Sequence, residues 1–258
     1  MSFLLFACTN KEDNKYDTES PRYDTQYSYE EERFKQHDSY SVPNKQIDYE
    51  FYWNGSDYYP IGWSRDGSIA FRKFTSFDGV GGCLDEIIIQ SMITDKTLKT
   101  IKLDEFNPDN LEDDGDWENH CDLDRTWRRE RRTIVKYLNR YEIEDNSFGQ
   151  LIKSQAITTN NGDFKIKLSQ YTERKYENNE YNQTKYTLKV YLDGKSKTIS
   201  QKVISAHNIE YLGYYKSPFE DRVVIVLQFQ DTQEGEYSHN GGIITIGCGL
   251  DRKYWNKN

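Results

Sequence analysis

The feature that most constrains the fold is a series of short runs in which apolar and polar residues alternate. Residues 164–168 (Phe-Lys-Ile-Lys-Leu) alternate with period two, and residues 186–192 do so again before the turn Asp193-Gly194. Side chains of a strand point alternately to its two faces, so this pattern predicts antiparallel strands with one hydrated face. Four further strands are predicted in the same half of the chain, at 197–204, 209–215, 222–229 and 243–248.

A second group of strands is predicted around a tight turn at residues 64–67 (Ser-Arg-Asp-Gly). Asp-Gly suits the positive φ angles of hairpin turns, and β-prone arms flank it within residues 59–71. The apolar runs at 86–92 and 98–103 extend this hairpin into one antiparallel meander. A further β-prone run, residues 49–53, precedes the meander.

One substantial helix is predicted over about residues 118–141, because apolar residues recur there at near-helical spacing. Its outward face is rich in arginine, and it follows an acidic stretch at residues 104–118. We expect these basic side chains to pair with carboxylates of the chain itself, rather than with nucleic acid, anionic lipid or an acidic partner. Together the patterns predict a mainly β (α+β) fold in a single β-rich domain, residues 46–258.

The first residues of the chain predict export. Residues 1–8 (Met-Ser-Phe-Leu-Leu-Phe-Ala-Cys) are apolar up to a cysteine, and the polar residues 9–45 follow without apolar periodicity. Residues 5–8 resemble the lipobox of bacterial lipoproteins, which has an aliphatic residue three positions before the cysteine and a small residue just before it. The resemblance implies a truncated lipoprotein signal, lipidation of Cys8, and a membrane anchor at the bacterial cell envelope, periplasmic or cell-surface. Residues 9–45 then form a flexible tether; the alternative is an N-terminal strand with a core cysteine.

Residues 62–71 (Gly-Trp-Ser-Arg-Asp-Gly-Ser-Ile-Ala-Phe) resemble the Trp-Ser-x-Asp-Gly blade signature of TolB-type β-propellers. In that signature the tryptophan packs between blades and the other residues shape the turn. The resemblance therefore implies structural roles for Trp63, Ser64, Asp66 and Gly67. Residues 211–225 have a weaker similarity of the same order. A complete propeller does not fit beside a long helix in this length of chain, so we expect blade-like meanders that pack together without closing a ring.

The remaining cysteines are candidates for a disulfide. With Cys8 acylated, Cys83, Cys121 and Cys248 remain, and three thiols allow one bridge and one free thiol in three pairings. We expect either a bridge between two loop cysteines or no bridge. None of their spacings matches a CxxC pair, so a zinc site is not predicted.

Composition and motif spacing exclude several functions. The chain has 34 Lys+Arg against 43 Asp+Glu, a net charge of -9, which argues against general nucleic-acid binding. Residues 62–67 lack the glycine spacing and the following helix of a hydrolase nucleophile elbow. A calcium-loop-like pattern at 110–118 lacks the glutamate that an EF-hand needs at its twelfth position. Catalytic residues, cofactors and metal ligands are not predicted, and the histidines are scattered (His37, His120, His207, His239).

We therefore expect an exported lipoprotein with a non-catalytic binding or scaffolding role at the cell envelope. Its expected partners are the membrane, through Cys8, and an envelope protein or glycan. Two alternatives stay open. The first is a glycan- or peptidoglycan-binding module, since the chain has 21 Tyr and 5 Trp, and amphipathic aromatic rings suit sugar faces. The second is a hydrolase whose site is assembled in space from distant residues.

Overall fold

A computed structural model describes residues 40–43, 47, 56–77, 82–106, 121–145, 147–173, 183–232 and 239–251. The strands in these ranges are β1 (Ser56–Trp63), β2 (Ser68–Phe77), β3 (Gly82–Ser91), β4 (Thr97–Phe106), β5 (Glu144–Asp145), β6 (Ala156–Thr159), β7 (Gly162–Glu173), β8 (Gln183–Leu192), β9 (Lys195–Ser205), β10 (Asn208–Lys216), β11 (Arg222–Thr232) and β12 (His239–Gly249). The helices are α1 (Leu123–Arg129) and α2 (Arg131–Arg140).

The strands form three antiparallel sheets. Sheet A has the order β4-β3-β2-β1-β5, sheet B the order β10-β11-β12, and sheet C the order β6-β7-β8-β9. All three are open, so the mainly β fold with meanders and no complete ring is confirmed. Every strand predicted from residue 59 onward is present, while β5 and β6 were not predicted. The β-prone run at 49–53 lies outside the described residues.

The helical segment differs from the prediction of one helix over about 118–141. Two short helices replace it, because Glu130 ends α1 and begins α2 with φ -91° and ψ 6°. The start of α1 is defined by Asp122, whose side chain accepts a hydrogen bond from the backbone N–H of Arg125 at 2.9 Å. Such a cap satisfies one of the donors that the first helical turn leaves open. Residues 118–120 lie outside the described ranges.

The sheets and helices stack as four layers. The apolar faces of α1 and α2 (Trp127, Ile134, Val135 and Leu138) pack on one face of sheet A. The other face of sheet A packs on sheet B, where Trp63 and Phe71 meet Val224 and Val226. The opposite face of sheet B packs on sheet C, where Val223, Ile225 and Leu227 meet Phe164, Leu188 and Val190. Strand β11 is therefore buried on both faces, which explains why its residues 223–227 are continuously apolar.

The segment that begins with β5 and continues to Ile152 contacts sheets A and B, at one glycine in each sheet. Gly62 of β1 lies against the carbonyl of Glu144 in β5, and a Cβ there would meet that oxygen at 1.9 Å. Gly213 of β10 lies in the same way against the carbonyl of Ile152. Between these contacts, the Phe148 ring packs on Trp63, Phe71 and Tyr215 at centroid distances of 5.6, 4.9 and 5.0 Å. Absence of a side chain at both glycines is what allows these backbones to approach.

The hairpins β1–β2 and β10–β11 share further geometry. Each has a register shift just before its glycine, at Pro60/Gly62 and at Tyr211/Gly213. A third strand follows each hairpin, β3 after β1–β2 and β12 after β10–β11. In each case the backbone carbonyl of a hairpin turn residue accepts a hydrogen bond from the backbone N–H of the residue that follows this third strand. Met92 donates to Gly67 at 2.9 Å, and Leu250 donates to Asp221 at 2.8 Å. Sheets A and B thus contain two similar three-stranded meanders.

Candidate binding surface

The turn at residues 64–67 is closed to substrates. Ser64 is 1% exposed, its hydroxyl donates to Asp66, and the backbone N–H of Ser68 donates to Ser64 Oγ at 2.9 Å. Gly67 has φ 82°, which favours glycine, and Trp63 is fully buried between the sheets. A buried hydroxyl in a turn of this kind has no access to a substrate, so these four residues form a structural turn.

The cysteines take three different positions. Cys83 and Cys121 form a disulfide, whereas Cys248 is a buried free thiol whose pKa burial raises to about 12. The expectation of two loop cysteines is wrong for Cys83, which lies in β3 and pairs with Phe106 of β4. Cys121 precedes α1 with φ 64°. The bridge therefore fastens the start of the helical layer to the first residues of β3 in sheet A. Cys8 lies outside the described residues.

The described residues hold no cluster of three or more His, Cys, Asp or Glu that could bind a metal ion. Among the histidines, His207 has a buried Nδ1 without a hydrogen-bond partner. His37, His120, the side chain of His239 and the calcium-loop-like segment lie outside what is described. The described residues therefore give no support to a hydrolase site assembled from distant residues.

Two arginines of the arginine-rich helical segment form ion pairs within the chain. Arg129 contacts Asp104 of β4 and Glu130 at 3.2 Å each, and Arg128 lies 3.9 Å from Asp124. Hydrogen bonds to Asp104 and Glu130 raise the pKa of Arg129 against the opposing effect of burial. These contacts agree with the expectation of internal compensation at Arg128 and Arg129.

A cavity of about 240 Å³ opens between the β6–β7 turn and the β10–β11 turn. Its charged groups are engaged with neighbouring residues. Arg222 donates to Glu220 at 2.6 Å, Asn161 donates to Asp221 at 2.6 Å, and Lys216 Nζ donates to the Thr158 carbonyl at 3.0 Å. These bonds hold the turns together.

The outer face of sheet C is the surface with an unusual chemical character. The inner face of this sheet packs on sheet B, and the side chains on the other face point to solvent or are half-buried at its surface. Strand pairing places alternate side chains of β7, β8 and β9 on this face, and twelve of them form four consecutive rows. We call these twelve the lysine face: Lys165, Lys167, Ser169, Tyr171, Lys185, Thr187, Lys189, Tyr191, Ser196, Thr198, Gln201 and Val203.

The side chains of the lysine face form four parallel rows, and each row crosses the three strands β7, β8 and β9. The rows are Tyr171–Lys185–Val203, Ser169–Thr187–Gln201, Lys167–Lys189–Thr198 and Lys165–Tyr191–Ser196. A register shift at Leu188/Lys189 offsets β9 by one residue and keeps Thr198 opposite Lys189. Neighbouring strands lie about 4.8 Å apart, and successive residues on one face lie about 6.8 Å apart along a strand. The face is therefore a shallow plate with side chains at regular spacing.

The charge of this plate is mainly positive. It carries four lysines, although the whole chain has a net charge of -9. The carboxylates on the same face of β7 are Asp163 and Glu173, which lie just past the two ends of the plate. Within the described part of the structure, no ion pair engages these four ammonium groups. Tyr171 is 70% exposed and Val203 58% exposed, in the same row.

Sequence patterns alone did not identify this surface, although they contain part of its signal. Lysine stands at every second position in 165–167, and again at 185 and 189, always on the polar side of the alternation. The missing information was the register, which decides that Lys167 faces Lys189 and that Tyr171 faces Lys185.

No helix in the described ranges is long and apolar enough to cross a membrane. Comparison of the chain with models of protein families, with curated proteins and with solved structures gives no match.

Proposed function

We propose that this chain is an exported, lipid-anchored protein of the bacterial cell envelope with a non-catalytic binding role. The observation that carries the proposal is the disulfide between Cys83 and Cys121. Disulfides persist mainly in oxidising compartments such as the periplasm and the cell surface. Residues 5–8 supply the lipobox-like motif that agrees with such a location.

The binding role is supported by the contrast between the interior and the lysine face. The turn at residues 64–67 is closed, and the groups of the cavity at the β10–β11 turn bond to one another. The lysine face instead presents a broad plate of hydrogen-bonding, cationic and aromatic groups to solvent. A surface of this kind suits recognition of a partner by its charge and shape.

A glycan-binding module is the alternative that a specific observation favours. Tyr171 is 70% exposed on a shallow surface, between polar side chains that lie in register. An amphipathic ring can cover the apolar face of a sugar while neighbouring polar groups bind its hydroxyls. Lipid anchoring would hold such a module close to envelope polysaccharides.

Replacement of Cys8 tests the anchor. In the bacterium that encodes the protein, we expect the full-length chain to sediment with membranes and Cys8→Ala to be soluble, because the acyl chains that bind the bilayer are lost. Cys248→Ala is the matched control, since it removes a buried thiol and leaves the anchor intact. Sedimentation of Cys8→Ala with membranes, at the level of the control, would refute the lipoprotein proposal.

A further inference from the structure

We propose that the lysine face binds an acidic polysaccharide, with sugar carboxylates on the lysines and a sugar ring on Tyr171. The inference rests on the proposed binding role and names the chemical class of the partner. It uses the row Tyr171–Lys185–Val203 and the directly paired lysines Lys167 and Lys189. An extended chain of several sugar rings fits a plate of this length.

The arrangement of lysines is costly for the fold itself. Lys167 and Lys189 are directly opposite in a β7–β8 pair, and like charges in that position are destabilising. Solubility needs no such arrangement, because a soluble surface normally mixes charges of both signs. A directly opposed lysine pair that weakens its own sheet is explained by a ligand of the opposite sign.

Protection of a sheet edge does not explain the lysines of β8. Proteins place lysine on exposed edge strands to prevent pairing with other chains, and Lys195 and Lys197 of the edge strand β9 fit that role. Strand β8 is an interior strand of sheet C, whereas β7 is paired with β6 only as far as Lys165. Lys185 and Lys189 therefore lie on the face of the sheet and away from its edges.

The neutral residues of the plate favour a polysaccharide over a bilayer or a nucleic acid. The row Ser169–Thr187–Gln201 lies between the lysine-bearing rows and offers hydroxyl and amide groups for sugar hydroxyls. A bilayer would gain little from this row, because interfacial binding depends on buried apolar area together with charge. Duplex DNA carries one charge per about 1.7 Å of its axis, more than a polymer with one carboxylate per sugar, and a chain of net charge -9 repels it more strongly.

Binding to polygalacturonate, a polymer of uronic acid, tests the inference with dextran as the neutral control polymer. The full chain with Cys8→Ala is used, so that binding is measured in solution and does not depend on the anchor. We expect saturable binding to polygalacturonate that weakens as salt is added, since exposed charges are screened, and no binding to dextran.

Two pairs of charge substitutions distinguish a site from a general charge effect. Lys167→Gln/Lys189→Gln should weaken binding about fivefold, at about 0.5 kcal/mol for each exposed contact. Lys96→Gln/Lys136→Gln removes the same charge from exposed positions on other elements, and we expect unchanged affinity. Tyr171→Ala should also weaken binding, whereas Tyr171→Phe, which keeps the ring, should retain it.

Several outcomes would overturn the inference. They are the absence of polygalacturonate binding, equal losses in the two lysine pairs, or equal affinity for phosphatidylglycerol vesicles or a single-stranded DNA oligonucleotide. Circular dichroism melting of each variant confirms that the exposed substitutions leave the fold intact. None of these results depends on membrane sedimentation, so the lipid anchor and the glycan site stand or fall separately.

Discussion

Arg72 and Asp85 form an ion pair that is sealed between sheet A and α1. The Nε and Nη2 atoms of the arginine donate to the two carboxylate oxygens at 2.8 and 2.5 Å, and the side chains are 0% and 2% exposed. The same Nη2 donates to the Leu123 carbonyl at 2.7 Å, and the guanidinium lies 5.3 Å from the Trp127 ring centre. The pair therefore orients the first turn of α1 on the sheet.

Removal of one member of this pair is expected to destabilise the protein strongly. Arg72→Met or Asp85→Leu should each lower the free energy of unfolding by about 3–5 kcal/mol, because each leaves an uncompensated charge in the interior. The double variant should lose less than either single variant, since no buried charge remains. Urea unfolding of the four proteins measures this coupling.

The exposed pair Arg65–Glu144 provides the control for this cycle. Its side chains are 73% and 46% exposed, so the corresponding single substitutions should cost less than about 1 kcal/mol. Strictly additive losses in the Arg72 and Asp85 cycle would contradict the account of the pair.

The disulfide is expected to stabilise the attachment of the helical layer. Cys83 and Cys121 are 38 residues apart, and closure of a loop of this length contributes about 4 kcal/mol in the chain-entropy model. Cys83→Ser/Cys121→Ser should lower the free energy of unfolding by that amount. Reductant should destabilise the wild-type chain and leave this double variant unchanged; an equal effect on both would show that the bridge is not responsible.

The buried thiol gives a second test of the same cysteine assignment. Burial raises the pKa of Cys248 to about 12, so its thiol stays protonated and enclosed in the native protein. Of the four cysteines, three remain in the Cys8→Ala variant. A thiol reagent should detect none of them in the native state, one after denaturation and three after denaturation with reductant. Rapid labelling of the native protein at pH 8 would contradict this placement.

Asp95 is expected to weaken the fold at neutral pH. It lies in the β3–β4 turn with φ 57°, accepts a hydrogen bond from the Gly247 N–H at 2.7 Å, and has a pKa that burial raises. A raised pKa means that the folded state holds the proton more tightly, so this contribution to stability is complete below about pH 3.8 and is lost as the carboxyl ionises. The stabilising contribution of Asp95 is therefore lost over the pH range just above 3.8.

Asp95→Asn keeps the acceptor oxygen and tolerates positive φ, but does not ionise. We therefore expect the melting temperature to rise by about 2 °C at pH 7 and to change little at pH 3.5. The comparable surface variant Asp124→Asn, at a position that is 63% exposed, should show no such pH-dependent gain. A lower melting temperature of Asp95→Asn at pH 7 would show that the ionised form is favoured in the fold.

Strand positions were predictable because local pattern determines them. In β7 and β8, residues on the buried side alternate with lysine and polar residues, and this periodicity survives in the folded sheet. Strand β11 was also recognisable, because a continuous apolar run between turns fits a strand that is covered on both faces. The helix was predicted as one element, since a break at Glu130 involves a single residue whose side chain gives no signal for it.

What the sequence could not provide are features that depend on pairing between distant residues. The two-residue strand β5 exists because Gly62 lets Glu144 approach β1, and nothing near residue 144 predicts it. The position of Cys83 within a strand follows from its pairing with β4, whereas the glycines before it resemble a loop. The lysine face likewise appears only when the register of three strands is known.

Mass spectrometry of the protein isolated from the cells that naturally produce it tests the central proposal most directly. Thiols are blocked with an alkylating agent at lysis, and peptides are mapped without reduction. We predict an acylated N-terminal peptide that begins at Cys8 and a peptide pair joined through Cys83 and Cys121. An N-terminal peptide that continues through an unmodified Cys8, with alkylated Cys83 and Cys121, would contradict export and lipid anchoring together.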